Sequence, residues 1–174
     1  MHHAIMSDSV DMLNLLLNIS VEKEDGGYLQ AALVYSAVQV EHGCPPIIRL
    51  VHYRTPNAHL LLAALIEFFQ RCTDGDTKLT DLIDTPCGRD CRVLNGVERT
   101  ALQELAVFVR RDCKVQPPSD SVLQMLEMLV AHGADLNRKE PSTGLCAREM
   151  LAAAASAWND SAASKRVRLL IRQE

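Results

Sequence analysis

Apolar positions along this chain cluster at helical spacing, and no segment alternates with the two-residue period of a half-buried strand. Met12, Leu13, Leu15, Leu16 and Leu17 form a short apolar helix face after the polar Ser7, Asp8 and Ser9. Residues 22–27 are charged and Gly-rich and read as a loop. Residues 28–40 are apolar nearly all round, which predicts a helix sandwiched between neighbours and ending at His42-Gly43. Pro45-Pro46 opens a short helix over 47–51, because Pro is tolerated in a first turn. Thr55 is the predicted N-cap, and Pro56 the first residue, of a long helix through Arg71. Thr73, Asp74, Gly75 and Asp76 break it, and residues 79–83 form a short helix. Pro86, Gly88, Asn95 and Gly96 make 85–99 turn-rich. Further helices are predicted over 100–111, over 121–132 with Ser119 or Asp120 as cap, and over 147–157 and 165–172.

These elements come as pairs, one long and one short. None of the short helices can bury its apolar face alone. Stacking the pairs buries a continuous core, which is the physical logic of an all-α solenoid.

Residues 125–137 read Met-Leu-Glu-Met-Leu-Val-Ala-His-Gly-Ala-Asp-Leu-Asn, an apolar helix that stops at Gly133 and leaves through a short extended segment. Upstream stands Asn95-Gly96-Val97-Glu98-Arg99-Thr100-Ala101-Leu102. Together they resemble the ankyrin-repeat family, whose unit runs D-x-x-G-x-T-P-L-H-x-A-A-x-x-G-x-x-x-x-V-x-x-L-L-x-x-G-A-x-x-N. Gln103 stands where that motif has His, and Ala37 does so in the second copy. His2, Ala4, Leu15, Leu16 and Leu17 look like the first copy. His59, Ala63, Ala64, Leu82 and Ile83 look like the third. Gly144, Leu145, Cys146 and Ala147, with the apolar run from Val167 to Ile171, look like the fifth.

The resemblance implies an ankyrin-like helical solenoid of about five irregular repeats, approximately 1–27, 28–54, 55–94, 95–137 and 138–174, in a single domain. Equating Leu15, Leu50, Leu82, Met128 and Leu169 gives intervals of 35, 32, 46 and 41 residues. The family period is about 33, so the last two intervals take insertions, placed at 110–120 and 154–164. The chain opens inside a first helix, which reads as a piece of a longer array. In the family the motif Thr and His hydrogen-bond within and between repeats.

Composition narrows the function classes. With 174 residues the chain suits one domain or one short array. Aromatics are only 4%, so Leu, Ala and Val must carry the core, which favours close helix packing over a sheet sandwich. A net charge of −4 gives no basic footprint for nucleic acid. No apolar run reaches the roughly 20 residues of a membrane span, and no basic-then-apolar leader opens the chain. Six cysteines without a tight framework read as free thiols, which places the expectation in a reducing compartment, cytoplasmic or nuclear.

Candidate chemistry is sparse. Cys87 and Cys91 form a C-x₃-C in the turn-rich loop, and His42 and Cys44 make a second Cys/His pair. Zinc needs four converging ligands, and no second pair sits at a supporting spacing, so two free loop cysteines is the plainer reading. His2 and His3 could ligate, but His2 fits better as a structural motif position. Cys113 lies beside Arg110, Arg111 and Lys114, cations that lower a thiol pKa. With no base or oxyanion site in sight, an exposed thiol on a basic turn is expected. Gly26, Gly27 and Gly75 form no phosphate loop. Lys165, Arg166, Arg168 and Arg172 read as a solvated helix face. No catalytic residue, cofactor or metal is expected.

A binding surface is the functional expectation. The resemblance puts Arg89, Asp90, Arg92, Glu98, Arg99, Arg138, Lys139 and Glu140 at or near loop tips. It puts Gln103, Glu104, Val107 and Arg110 on or beside the inner face. Arg is enriched at interaction hot spots, although any one of these residues is more often a solvated charge. The reading is a non-enzymatic protein–protein interaction module, an adaptor, inhibitor or effector type. Its partner is another protein, with no nucleic acid, membrane or small-molecule substrate. The alternative is an array packed as a structural or regulatory part of a larger enzyme or channel. Reversing Arg99 and Arg138 together is expected to weaken partner capture at an unchanged melting temperature.

Overall fold

The computed structural model describes residues 2–19, 44–72, 79–89, 91 and 93–172. The fold is all-α. Its helices are α1 (His2–Met6), α2 (Val10–Ile19), α3 (Pro46–Tyr53), α4 (Ala58–Cys72), α5 (Leu79–Ile83), α6 (Ala101–Asp112), α7 (Asp120–Ala131), α8 (Ala147–Ala157) and α9 (Ala162–Leu170). Among the described residues no strand forms beyond an isolated bridge between Lys139 and Cys146. None of these helices is long and apolar enough to cross a membrane. The predicted loop at 22–27, the helix at 28–40, Ala37, the His42-Gly43 stop and the break at 73–76 lie outside the described residues.

Local chemistry sets the helix boundaries. Thr100 opens α6 with a reciprocal cap: its hydroxyl accepts the Gln103 N–H at 3.3 Å, and Gln103 Oε1 accepts the Thr100 N–H at 3.0 Å. The Glu149 carboxylate accepts the Cys146 N–H at 2.8 Å at the start of α8. Ser161 Oγ accepts the Ser164 N–H at 3.1 Å, so α9 begins at Ala162, three residues earlier than the periodicity predicts. Pro46 occupies the first turn of α3, as expected. The start of α4 differs. Thr55 donates its hydroxyl to Asp8 rather than capping a helix, Pro56 and Asn57 form a turn, and the helix starts at Ala58. Asp8 also accepts the Asn57 backbone N–H at 3.2 Å and its side-chain amide at 3.1 Å, which ties the α1–α2 turn to the α3–α4 turn.

Packing sorts the helices into two rows. α1, α3, α6 and α8 pack side by side in that order, and so do α2, α4, α7 and α9. α1 packs on α2, α3 on α4, α6 on α7 and α8 on α9. Each hairpin therefore gives one helix to each row. The core runs along the stack through Leu13, Ile47, Leu65, Phe68, Leu102, Leu126 and Met150, all buried.

This pairing departs from the expected frame. The repeat boundaries expected from the sequence make 47–51 the second helix closing one repeat and 55–71 the long first helix of the next. Instead α3 lies in the first row and pairs with α4, because only residues 54–57 separate them and Arg54 turns the chain at φ 49°. α5 packs on α4 and belongs to neither row. First-row helices begin at residues 2, 46, 101 and 147, spacings of 44, 55 and 46. The equated leucines also shift. Leu15 and Leu169 are 61% and 64% exposed, while Leu13, Leu17, Val167 and Leu170 face the core.

Gly133 ends α7 with φ +90°, and a Cβ there would meet Thr80 Cγ2 of α5 at 2.7 Å. Gly133→Ala is therefore expected to cost about 1–2 kcal/mol from backbone strain and contact together. Adding Thr80→Ser removes the contact and should recover part of that loss, read as urea-denaturation midpoints of the single and double variants.

Candidate functional site: the charged ends and first-row face of α6

The expected tip residues separate into two groups. Arg89 and Glu98 pair with each other at 2.7 Å in full view of solvent. Lys139 pairs with Glu149 at 2.9 Å, also exposed. Arg138 is exposed and donates to the Asp84 carbonyl at 3.1 Å. Asp90 and Arg92 lie outside the described residues.

Arg99, Gln103, Glu104 and Glu140 are placed differently from the expectation. They are interior. Glu140 has no exposed surface, Gln103 and Glu104 are buried, and the Arg99 side chain is 15% exposed. Arg99 Nε donates to Glu140 at 2.8 Å and its Nη1 to Glu104 at 3.1 Å. His52 of α3 donates from Nδ1 to the other Glu104 oxygen at 2.8 Å. Ser142 donates to Glu140 at 2.7 Å, as does the Thr143 N–H. Gln103 Nε2 reaches the Arg138 carbonyl at 3.0 Å. One network thus joins α3, the start of α6 and the turn before α8. A buried charge is tolerable only when paired and hydrogen-bonded, and these groups are spent on that pairing rather than offered to a partner.

Val107 and Arg110 lie on α6, in the first row. With Arg111, Lys114, Thr143 and Met150 they line a cleft of about 300 Å³ between α6 and α8. Residues 107, 110, 111 and 114 follow the helical spacing of one face, which was visible in the sequence. Arg111 and Lys114 stand out in the sequence only as the setting of Cys113. Arg111 shares its charge with Asp112 at 2.8 Å. Neither Arg110 nor Lys114 makes a hydrogen bond or ion pair within the described residues.

The thiols also correct the expectation. Cys113 is buried, not exposed, and its pKa is raised by burial and by the Asp112 carboxylate. Its carbonyl accepts the Trp158 indole N–H at 2.6 Å. Cys87 and Cys91 are buried, and Cys44 is brought against Cys91 despite its distance in sequence. Burial and the Cys91 thiol push Cys87 up to about 11, outweighing the Arg99 N–H. Such thiols are poor nucleophiles at neutral pH. Among the described residues no group of three or more His, Cys, Asp or Glu is arranged to hold a metal ion. The His2 side chain and His42 lie outside the described residues.

No family model matches the chain, and neither a curated protein nor a solved structure matches it at significant similarity.

Two predictions follow from the buried network. Arg99→Glu puts a third carboxylate beside Glu104 and Glu140 and should lower stability by about 3–5 kcal/mol. Arg138→Glu should change it much less, so the paired reversal lowers the melting temperature instead of leaving it alone. A thermal melt of each single variant separates the two.

Glu140 supplies the pH dependence. Burial alone would raise its pKa, but hydrogen bonds from Ser142, Thr143 and Arg99 outweigh burial and hold it at about 2, against an ordinary 4.5. The ionised form therefore stabilises the fold above about pH 4.5, and that contribution disappears as the pH falls towards about 2. Glu140→Gln should be less stable than the wild type at neutral pH and nearly equal to it near pH 2. Urea midpoints across this range, in high salt to screen the exposed Lys139–Glu149 pair, give the comparison.

Proposed function

We propose that this chain is a non-enzymatic protein-interaction module, an ankyrin-like solenoid of stacked helical hairpins that meets its partner on the first-row face. The observation that carries this reading is the cleft between α6 and α8, which spans two successive hairpins and carries the cations Arg110 and Lys114 with no ion partner among the described residues. A surface of this kind recognises another macromolecule by shape and charge and needs no reacting group.

The stacked rows support the ankyrin-like part of the reading. So does Gln103, which stands at the family's His position and reaches the next hairpin through the Arg138 carbonyl. Gly133, in the left-handed turn after α7, fits the family's glycine. The helix-start spacings, wider than the family's ~33 residues, are where this chain departs from it. Arg89, Glu98, Arg138 and Lys139 form a polar rim beside the cleft in this reading, while Arg99, Gln103, Glu104 and Glu140 keep the hairpins in register. Free thiols at Cys44, Cys87, Cys91, Cys113 and Cys146 suit a reducing compartment, cytoplasmic or nuclear.

A second reading has its own observation. Between α4 and α7 a groove of about 450 Å³ is lined by Leu60, Ala63, Met128 and Ala131, with Leu60 46% exposed. Such a second-row groove suits packing against a further part of a larger assembly.

Affinity capture with three proteins distinguishes the readings: the wild type, the double reversal Arg110→Glu with Lys114→Glu, and Leu60→Gln. Capture of one reproducible protein that disappears with the double reversal and survives Leu60→Gln is the expected result. The opposite pattern would transfer the function to the second-row groove. Capture indifferent to both changes would sink both readings.

A further inference from the structure

We infer that the α6–α8 cleft takes an acidic peptide segment, seating one aliphatic side chain on Val107 and setting flanking carboxylates on Arg110, Arg111 and Lys114. This rests on the first-row face being the binding face, and it names the chemistry of what binds there.

Charge argues for an acidic occupant. The chain as a whole carries −4, so cations crowded at the end of α6 are a local reversal of its character. Helix carbonyls at a C-terminus attract cations in any case, and that attraction explains why Arg110 and Arg111 are tolerated there. It does not explain the opening beside them. Arg111 pairs with Asp112 at 2.8 Å, while the Arg110 and Lys114 side chains make no ion pair among the described residues, Lys114 acting on the Asp112 carboxylate only at longer range. Arg54, at the end of α3, adds a further positive charge near Arg111, its guanidinium 3.8 Å from the centre of the Phe108 ring. Glu104, the nearest buried carboxylate of α6, is already bound to Arg99 and His52.

The lining argues for a peptide rather than a polyphosphate. Val107 is half-buried and gives the floor between the cations an apolar surface, which the fully buried Met150 backs from α8. A phosphate backbone has nothing to place on such a floor, whereas an aliphatic side chain gains by leaving water there. At about 300 Å³ the cleft is at the small end of ligand sites, which suits a side chain with its adjoining backbone.

The test uses a fluorescein-labelled peptide of Glu and Asp residues around a single Leu, titrated with the full chain by fluorescence anisotropy. Expected are saturable binding that weakens with added salt, a loss of roughly ten-fold in Arg110→Gln with Lys114→Gln, and weaker binding when the peptide Leu is replaced by Gly. Both protein changes are on exposed side chains, and an unchanged melting temperature confirms the fold. Equal affinity for the variant, equal affinity of the Gly peptide, or tighter binding of poly(U) would each overturn the inference. A protein captured through this face while the acidic peptide fails to bind would overturn the inference alone and leave the module reading standing. Loss of peptide binding without any captured partner being sensitive to the face would count against the module reading instead.

Discussion

A helix of a few turns has little stability of its own in water, and a hairpin of two such helices leaves apolar surface on both sides. Here α3 has eight residues and α9 has nine. Neither could persist without cover. The cover comes from the hairpins before and after, row against row, so every unit depends on contact with its neighbours. That dependence makes the junctions between hairpins, rather than the hairpins themselves, the places where sequence must be specific. Asp8 on the α3–α4 turn, His59 Nδ1 on Ser121 at 3.0 Å and Arg166 on Glu127 at 2.7 Å are polar bridges across successive junctions.

One of these junctions is both ionic and buried. An exposed pair such as Arg89–Glu98 exchanges water for a partner at little gain and is screened by salt. Glu140 is in another regime, because it has no water to return to. It must hold Arg99, Ser142 and the Thr143 N–H together, and Arg99 must in turn hold Glu104. Breaking one partner strands a charge and costs far more than the pair is worth on the surface. Residues of identical chemistry and neighbouring sequence positions thus do opposite things: one set decorates the tips, the other locks three hairpins into register.

That contrast explains what could be read from the amino-acid sequence. Helix periods, the Thr100 cap and the Gly133 stop are local events, governed by residues within one or two turns, and they are legible. The membership of α3 in the first row is not local. It depends on a four-residue connection and on which neighbour covers it, and periodicity cannot rank those choices. Burial of Gln103, Glu104 and Glu140 is likewise invisible, since a charged residue looks solvated until its partner, 41 positions away for Glu140, is known. Cys113 shows the same limit. Its three cationic neighbours suggest a reactive thiol, yet the chain buries the Cys113 side chain, with its carbonyl on the Trp158 indole, and leaves the cations outside.

The position of those cations then follows from the stacking itself. The tip side of the third hairpin is consumed by the Arg99 network, and its α7 side by the bridges to α4 and α9. At the C-terminal end of α6 the helix dipole favours cations, and among the described residues Asp112 is the carboxylate that pairs with one of them. The adjacent α8 supplies Met150, and the turn before α8 supplies Thr143, so the opening exists only when the two hairpins are stacked. A site assembled this way is coupled to the register of the array. Loosening the buried Arg99–Glu140 junction would shift Thr143, which donates its N–H to Glu140 and lines the cleft at once. Recognition at the cleft and stability at the junction therefore share one turn of backbone.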